Sequence, residues 1–183
     1  MHVRRALPYI IGGLLLGGLI HVIIVLLIPL YGSNDAWAQM QRFGREGEFH
    51  TLPRSEPGAE PMPSLDPRMV HAVCRFDLGD GPIRIRAQFP DEFWSLAVFD
   101  RRGRNVYSLN DRAVEGAALD LIIMTPLQMA QIRQNPPASL DSAIVIELEM
   151  EAGFVLLRAF VPDDSMLPAA TAALDSADCT RTL

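Results

Sequence analysis

The chain is 183 residues long, with 16 basic side chains against 22 acidic ones and a formal net charge of −6. That length holds one compact domain plus an anchor, not two full domains. The acidic balance argues against nucleic acid or anionic lipid as a partner, because both demand clustered positive charge.

Residues 1–7 carry His2, Arg4 and Arg5, and residues 8–30 then run without a formal charge. A helix over that apolar run reaches about 34 Å, enough to cross a hydrocarbon core of roughly 30 Å. Positive charge before the run, and none after it until Arg42, places the N-terminus in the cytoplasm. The expected location is the inner (plasma) membrane, single pass, with the C-terminal domain in the periplasm. Ala36-Trp37-Ala38 resembles a signal-peptide cleavage site, yet the apolar run is longer than a typical h-region of about 7–15 residues, which favours an uncleaved anchor. Within the run, Gly13 and Gly17 form a GxxxG spacing that His21 continues along the same side. Small residues let a second helix approach, and an imidazole facing lipid is costly, so this stripe is the expected helix interface with a protein partner or a second copy.

Residues 31–68 read as a juxtamembrane helix followed by a proline-rich tether. Ser33-Asn34-Asp35 supply capping side chains, Trp37, Met40 and Phe43 fall near one face, and Gly44 ends the run. Pro53, Pro57, Pro61, Pro63 and Pro67 then prevent long regular structure, leaving only 49–52 as a candidate strand.

From residue 69 to residue 183 the pattern is that of strands. Residues 73–78 and 83–89 flank Asp80-Gly81 and read as a β-hairpin. In that register Cys74, Phe76, Leu78, Ile83, Ile85, Ala87 and Phe89 form the core face. Arg75, Asp77, Arg84 and Arg86 form the other, with Arg75 opposite Arg86. Strands are also expected at 93–99, 105–109 and 119–124, with a turn at 101–104. Thr125-Pro126 should open a helix running to about residue 134. A second hairpin is expected from 143–150 and 154–161 around Ala152-Gly153, followed by a helix capped at Asp163-Asp164-Ser165 that carries Cys179 near its end. The fold class is therefore α+β, a mainly antiparallel, sandwich-like exported domain with peripheral helices, of seven or eight strands. Cys74 and Cys179 are the only cysteines; on the exported side an even pair forms a structural disulfide more often than two free thiols.

Three stretches carry a resemblance to a known family. They are Cys74-Arg-Phe-Asp-Leu-Gly-Asp-Gly-Pro-Ile-Arg-Ile-Arg86, Phe93-Trp-Ser-Leu-Ala-Val-Phe-Asp100 and Leu156-Leu-Arg-Ala-Phe-Val-Pro-Asp-Asp-Ser-Met-Leu-Pro168. Together they resemble the bacterial domain of unknown function 1254, and the short chain is similar to a small membrane-anchored subgroup. Longer members look as though they carry a Gly-Arg-Thr-like late strand, which here reads Leu157-Arg158-Ala159. The resemblance implies a β-rich fold and a companion protein of the unknown-function 1214 family. It implies no established reaction.

The chemical inventory points away from catalysis. His50 and His71 belong to no metal motif, no Gly-x-Ser-x-Gly elbow exists, and Ser95 and Ser108 fall on expected strands. Asp91-Glu92 and Asp163-Asp164 sit at turns or caps. No catalytic residue, cofactor or metal is expected. The remaining candidate is an anion-binding surface of Arg75, Arg84 and Arg86, with Arg101, Arg102 and Arg104, set against the plainer reading that Asp77 and nearby acids neutralise them. The functional expectation is an interaction or envelope-assembly module acting with a membrane partner. The alternative is a periplasmic small-ligand binder or enzyme that shares a site with a companion protein.

Overall fold

The computed structural model describes residues 2–31, 36–54, 65–90, 92–114, 118–134, 140 and 142–182. The chain divides into two compact units, Met1–Asn34 and Asp35–Leu183. The first is helix α1, His2–Tyr31. Its stretch Pro8–Leu27 is 20 residues long and apolar enough to cross a membrane, and none of it is buried. A Cβ added at Gly13 or Gly17 would meet nothing within 4 Å.

The second unit is a two-sheet sandwich. Nine strands are found among the described residues: β1 (His50–Thr51), β2 (Met69–Asp77), β3 (Ile83–Gln88), β4 (Trp94–Asp100), β5 (Asn105–Asn110), β6 (Ala118–Met124), β7 (Ile144–Glu147), β8 (Ala152–Phe160) and β9 (Asp178–Arg181). The larger sheet has the order β1-β2-β8-β4-β5 and the smaller one β7-β6-β3-β9. All pairings are antiparallel except β6 with β7. Inward side chains alternate along each strand, so Ala72, Cys74 and Phe76 of β2 and Val155 and Leu157 of β8 join Ile83 and Ile85 of β3 and Leu121 and Ile123 of β6 in one core. Phe89 and Trp94 stack at 4.4 Å within it. Three short helices accompany the sandwich: α2 (Ala36–Met40), α3 (Pro126–Ile132) and α4 (Leu167–Asp175). Thr125 and Gln128 form a reciprocal capping box on α3, and α4 lays Ala170, Ala173 and Leu174 against the core.

Three expectations are corrected. β2 and β3 are not a hairpin: β2 pairs with β1 and β8, whereas β3 pairs with β6 and β9. The expected inward residues are all core, but they face one another across the sandwich instead of lying side by side. Asp77 caps a 3₁₀ turn over Leu78–Asp80, and buried Leu78 pins the corner where the chain passes between sheets. Arg75 therefore opposes Phe154, and Arg86 opposes Asp120 and Asp178. The second expected hairpin also separates, with β7 running parallel to β6 and β8 inserted between β2 and β4. Helix α4 ends at Asp175, and Cys179 lies on edge strand β9 instead. There it bonds Cys74 of the other sheet, Cα to Cα 6.6 Å.

The helix expected after residue 33 is α2, continued by a 3₁₀ turn over Gln41–Phe43. Its expected caps, Ser33, Asn34 and Asp35, lie outside the described residues, as do Asp91 and residues 55–64 of the proline-rich stretch.

Candidate functional site

The three arginines proposed as one anion surface stand on opposite outer faces of the sandwich. Arg84 and Arg86 lie on the smaller sheet, each beside an acid. Arg84 donates from Nε and Nη2 to the two carboxylate oxygens of Asp120 at 2.8 and 2.6 Å. This fork raises the guanidinium pKa above its ordinary value, chiefly through the hydrogen bond. Arg86 reaches Asp178 at 3.3 Å. Both charges are met within the sheet, by Asp120 and Asp178 instead of the Asp77 that sits beside them in the hairpin register.

The outer face of the larger sheet is different in kind, and its β2-β8-β4 register orders it in cross-strand rows. The first row is Arg75, Phe154 and Phe99, whose two phenyl rings stack at 5.1 Å. Arg75 is only 8% exposed. Its guanidinium lies 4.7 Å from the Trp37 ring centre, and that of Arg101 lies 4.8 Å from the same ring. Backbone bonds from Trp37 to the Arg101 carbonyl and from Gly47 to the Arg75 carbonyl tie residues 36–47 to this face. Gly44 is needed there because a Cβ would overlap the His50 imidazole. Four buried nitrogens in this region, Trp37 Nε1, His50 Nε2, and Arg75 Nε and Nη1, have no hydrogen-bond partner.

The second row, Val73, Leu156 and Ala97, is apolar, and Met40 and Leu52 join Val73 and Leu156 in a small cluster outside the main core. The third row is polar across four strands: His71, Arg158, Ser95 and Asn110. The fourth holds Phe160, with the Arg68 guanidinium 5.6 Å above its ring. In the third row His71 and Ser95 are 4% and 8% exposed. Arg158 forms no ion pair among the described residues, and its Nε is buried without a partner.

His71 is held to a pKa of about 4 from an ordinary 6.5 by burial first and the Arg158 charge second, against the opposing pull of Asp66 and a bond to the Met69 backbone. A depressed histidine pKa means that the unfolded chain takes up the proton first. Stability from His71 is therefore present above pH 6.5 and falls as pH drops toward 4. At about 1.4 kcal/mol per pH unit the loss approaches about 3 kcal/mol. Melting curves of the full chain and of His71→Phe, taken from about pH 7 to about pH 4, should diverge, with the variant less acid-sensitive. Parallel pH profiles would refute this. Asp100 adds acid sensitivity to both forms: burial raises its pKa, but hydrogen bonds from Arg104 and Arg102 outweigh that and hold it below the usual carboxylate range.

The third row is not a hydrolytic triad. Ser95 and His71 lie two strands apart, roughly 10 Å, with Arg158 between them. Among the described residues no group of three His, Cys, Asp or Glu side chains is placed to hold a metal. Sequence reasoning meets Arg158 only within the family-like Leu157-Arg158-Ala159 and gives it no role, although it is the one charged residue of β8, and that isolation is the available signal. Arg75 and Arg101 group as one arginine face in the sequence, but Trp37 between them is not foreseen there, since only the pairing of β2 and β4 with β8 places both guanidinium groups near one indole.

Comparison with known proteins agrees with this architecture. The family described as "Protein of unknown function (DUF1254)" matches residues 47–181. The crystal structure of the VPA0106 protein from Vibrio parahaemolyticus is similar, with a TM-score of 0.57 at 14% identity, over 81% of this chain and 34% of that one. A putative uncharacterized protein from Burkholderia cenocepacia gives a TM-score of 0.49 at 13% identity, over 81% of this chain and 41% of that one. The chain thus spans about a third of the length of the Vibrio protein, with which it shares the fold. No curated protein matches.

Proposed function

Because the chain belongs to the DUF1254 family of proteins of unknown function, its role has to be argued from its own architecture, and we propose that it is a single-pass membrane-tethered interaction module. The observation that carries this is the stretch Pro8–Leu27, 20 apolar residues with none of them buried. Such a helix in water would expose its whole surface, and a bilayer is the solvent that suits it. Arg4 and Arg5 before it favour a cytoplasmic N-terminus. The Cys74–Cys179 bond favours an oxidising compartment, hence a periplasmic sandwich and an inner-membrane anchor.

The partner is membrane-embedded, either a second copy of this chain or a companion such as a 1214-family protein, and it docks along Gly13, Gly17 and His21. Crosslinking in intact membranes tests this. The full chain should give a discrete larger species that Gly13→Leu with His21→Leu reduces about fivefold or more. An unchanged pattern would reduce the stripe to an anchor, and a C-terminal reporter that stays cytoplasmic would overturn the orientation. A second reading, a small-ligand binder, is favoured by the uncompensated Arg158 on the outer face of the larger sheet.

A further inference from the structure

The geometry points to a binding site for a small monocarboxylate with an apolar body, built on Arg158, Ser95 and His71. This rests on the ligand-binding reading and is independent of the membrane tether.

Three observations carry it. First, Arg158 is a permanent cation that meets no carboxylate among the described residues, and its buried Nε meets no acceptor. Arg84 and Arg86 are closed by Asp120 and Asp178, and Arg75, which also meets no acid among the described residues, is packed over the Trp37 ring instead. Second, the side chains directly across the strands from Arg158 are Ser95 and His71, with Asn110 next to Ser95. Cross-strand neighbours of an antiparallel sheet stand about 4.5–5.5 Å apart, so hydroxyl, guanidinium and imidazole present hydrogen-bonding groups in one line. A planar carboxylate fits the guanidinium fork with both oxygens and leaves one of them for the Ser95 hydroxyl.

Third, the charge around the site selects a monoanion. Among the described residues the ionised groups beside Arg158 and His71 are Arg68, over Phe160, and Asp66, whose Oδ1 accepts from the Arg68 backbone N–H at 2.9 Å. Arg158 and Arg68 against Asp66 leave one net positive charge, with His71 neutral. A phosphate dianion would remain undercompensated there, whereas a carboxylate is matched. The rows on either side are apolar, Phe160 on one and, on the other, Leu156 already packed against Met40 and Leu52, so Phe160 is the surface left for an aromatic or aliphatic body.

Benzoate and inorganic phosphate are the probes, titrated into the full chain in non-ionic detergent with isotope-labelled histidine. Benzoate should shift the His71 imidazole resonances to saturation and raise the melting temperature. Arg158→Gln should weaken benzoate about tenfold or more, and Ser95→Ala about threefold, each with the unliganded melting temperature close to that of the parent. The Ser95→Ala arm keeps the test decisive if Arg158→Gln does not fold. Benzoate affinity within twofold of the parent in the folded variants would overturn the site. Phosphate binding at least as tightly as benzoate, with the same dependence on Arg158, would overturn the monocarboxylate assignment while sparing the ligand-binding reading. Neither probe moving His71 would remove both.

Discussion

Replacing Cys74 and Cys179 together with alanine will lower stability by about 4–5 kcal/mol, the chain-entropy value for a closed loop of this size. The two cysteines are 105 residues apart in sequence, so the bond removes a large share of the unfolded chain's freedom. It joins the inner face of β2 to edge strand β9, which pairs with β3 through four residues and is further tied by Arg181 to Asp80 and Glu46. Cys74 and Cys179 are 0% and 2% exposed, so the exchange to alanine also leaves a small void in the core. Thermal melting of the full chain in detergent, read by near-UV circular dichroism of its buried aromatics, measures the loss. The parent with the bond reduced should fall most of the way to the melting temperature of the double variant and stay slightly above it, because its thiols still fill the core. A loss under about 1 kcal/mol would contradict the loop-entropy argument.

Gly153→Ala will destabilise the sandwich by about 3 kcal/mol or more, although it adds one methyl group to a strand that is apolar but for Arg158. Gly153 sits in β8 between Phe76 of β2 and Asp100 of β4. A Cβ there would lie 2.2 Å from the Phe99 carbonyl oxygen, 2.3 Å from the Met150 methyl and 3.3 Å from the Phe76 ring. The methionine end can move aside, but the carbonyl belongs to strand β4 and moves only with the strand. A glycine inside a central strand marks such a close backbone approach. The melting temperature should drop by about 10 °C, and adding Met150→Ala should restore only part of that. A fall of less than about 2 °C would mean that β4 yields more easily than a ladder strand should.

Local pattern was legible in the sequence wherever one residue's environment decides its type. Alternation marked Cys74, Phe76, Ile83 and Ile85 as inward-facing, and they are. The Thr125-Pro126 signal marked the start of α3, and it is there. Pairing was not legible, because alternation says which way a side chain points and not which strand lies beside it. Asp80-Gly81 therefore read as a two-residue hairpin, when Asp77 and Leu78 shape a corner between sheets. Met40, read on the face of a helix, and Leu52, read in a candidate strand, fall in the segment expected before the domain, yet both are buried on the outer face of the larger sheet. That cover explains why β8 is apolar on both faces, and why Arg158 in its middle is informative. The candidate site was missed for the same reason, since His71, Arg158 and Ser95 come from three separate stretches that only the β2-β8-β4 register aligns.

The disulfide also sets a clock. On the proposed route, with the sandwich exported N-terminus first, Cys74 would reach the oxidising side 105 residues before the thiol it needs. At about 5–20 residues per second that interval is on the order of 5–20 s. Throughout it, Cys74 has no partner within its own chain, since Cys179 is the only other cysteine. Scrambling within one molecule is impossible, and the only wrong bond open to Cys74 is to another molecule's thiol. Quality control of this fold is thereby a question of delivery time and of neighbours, not of choosing between internal pairings.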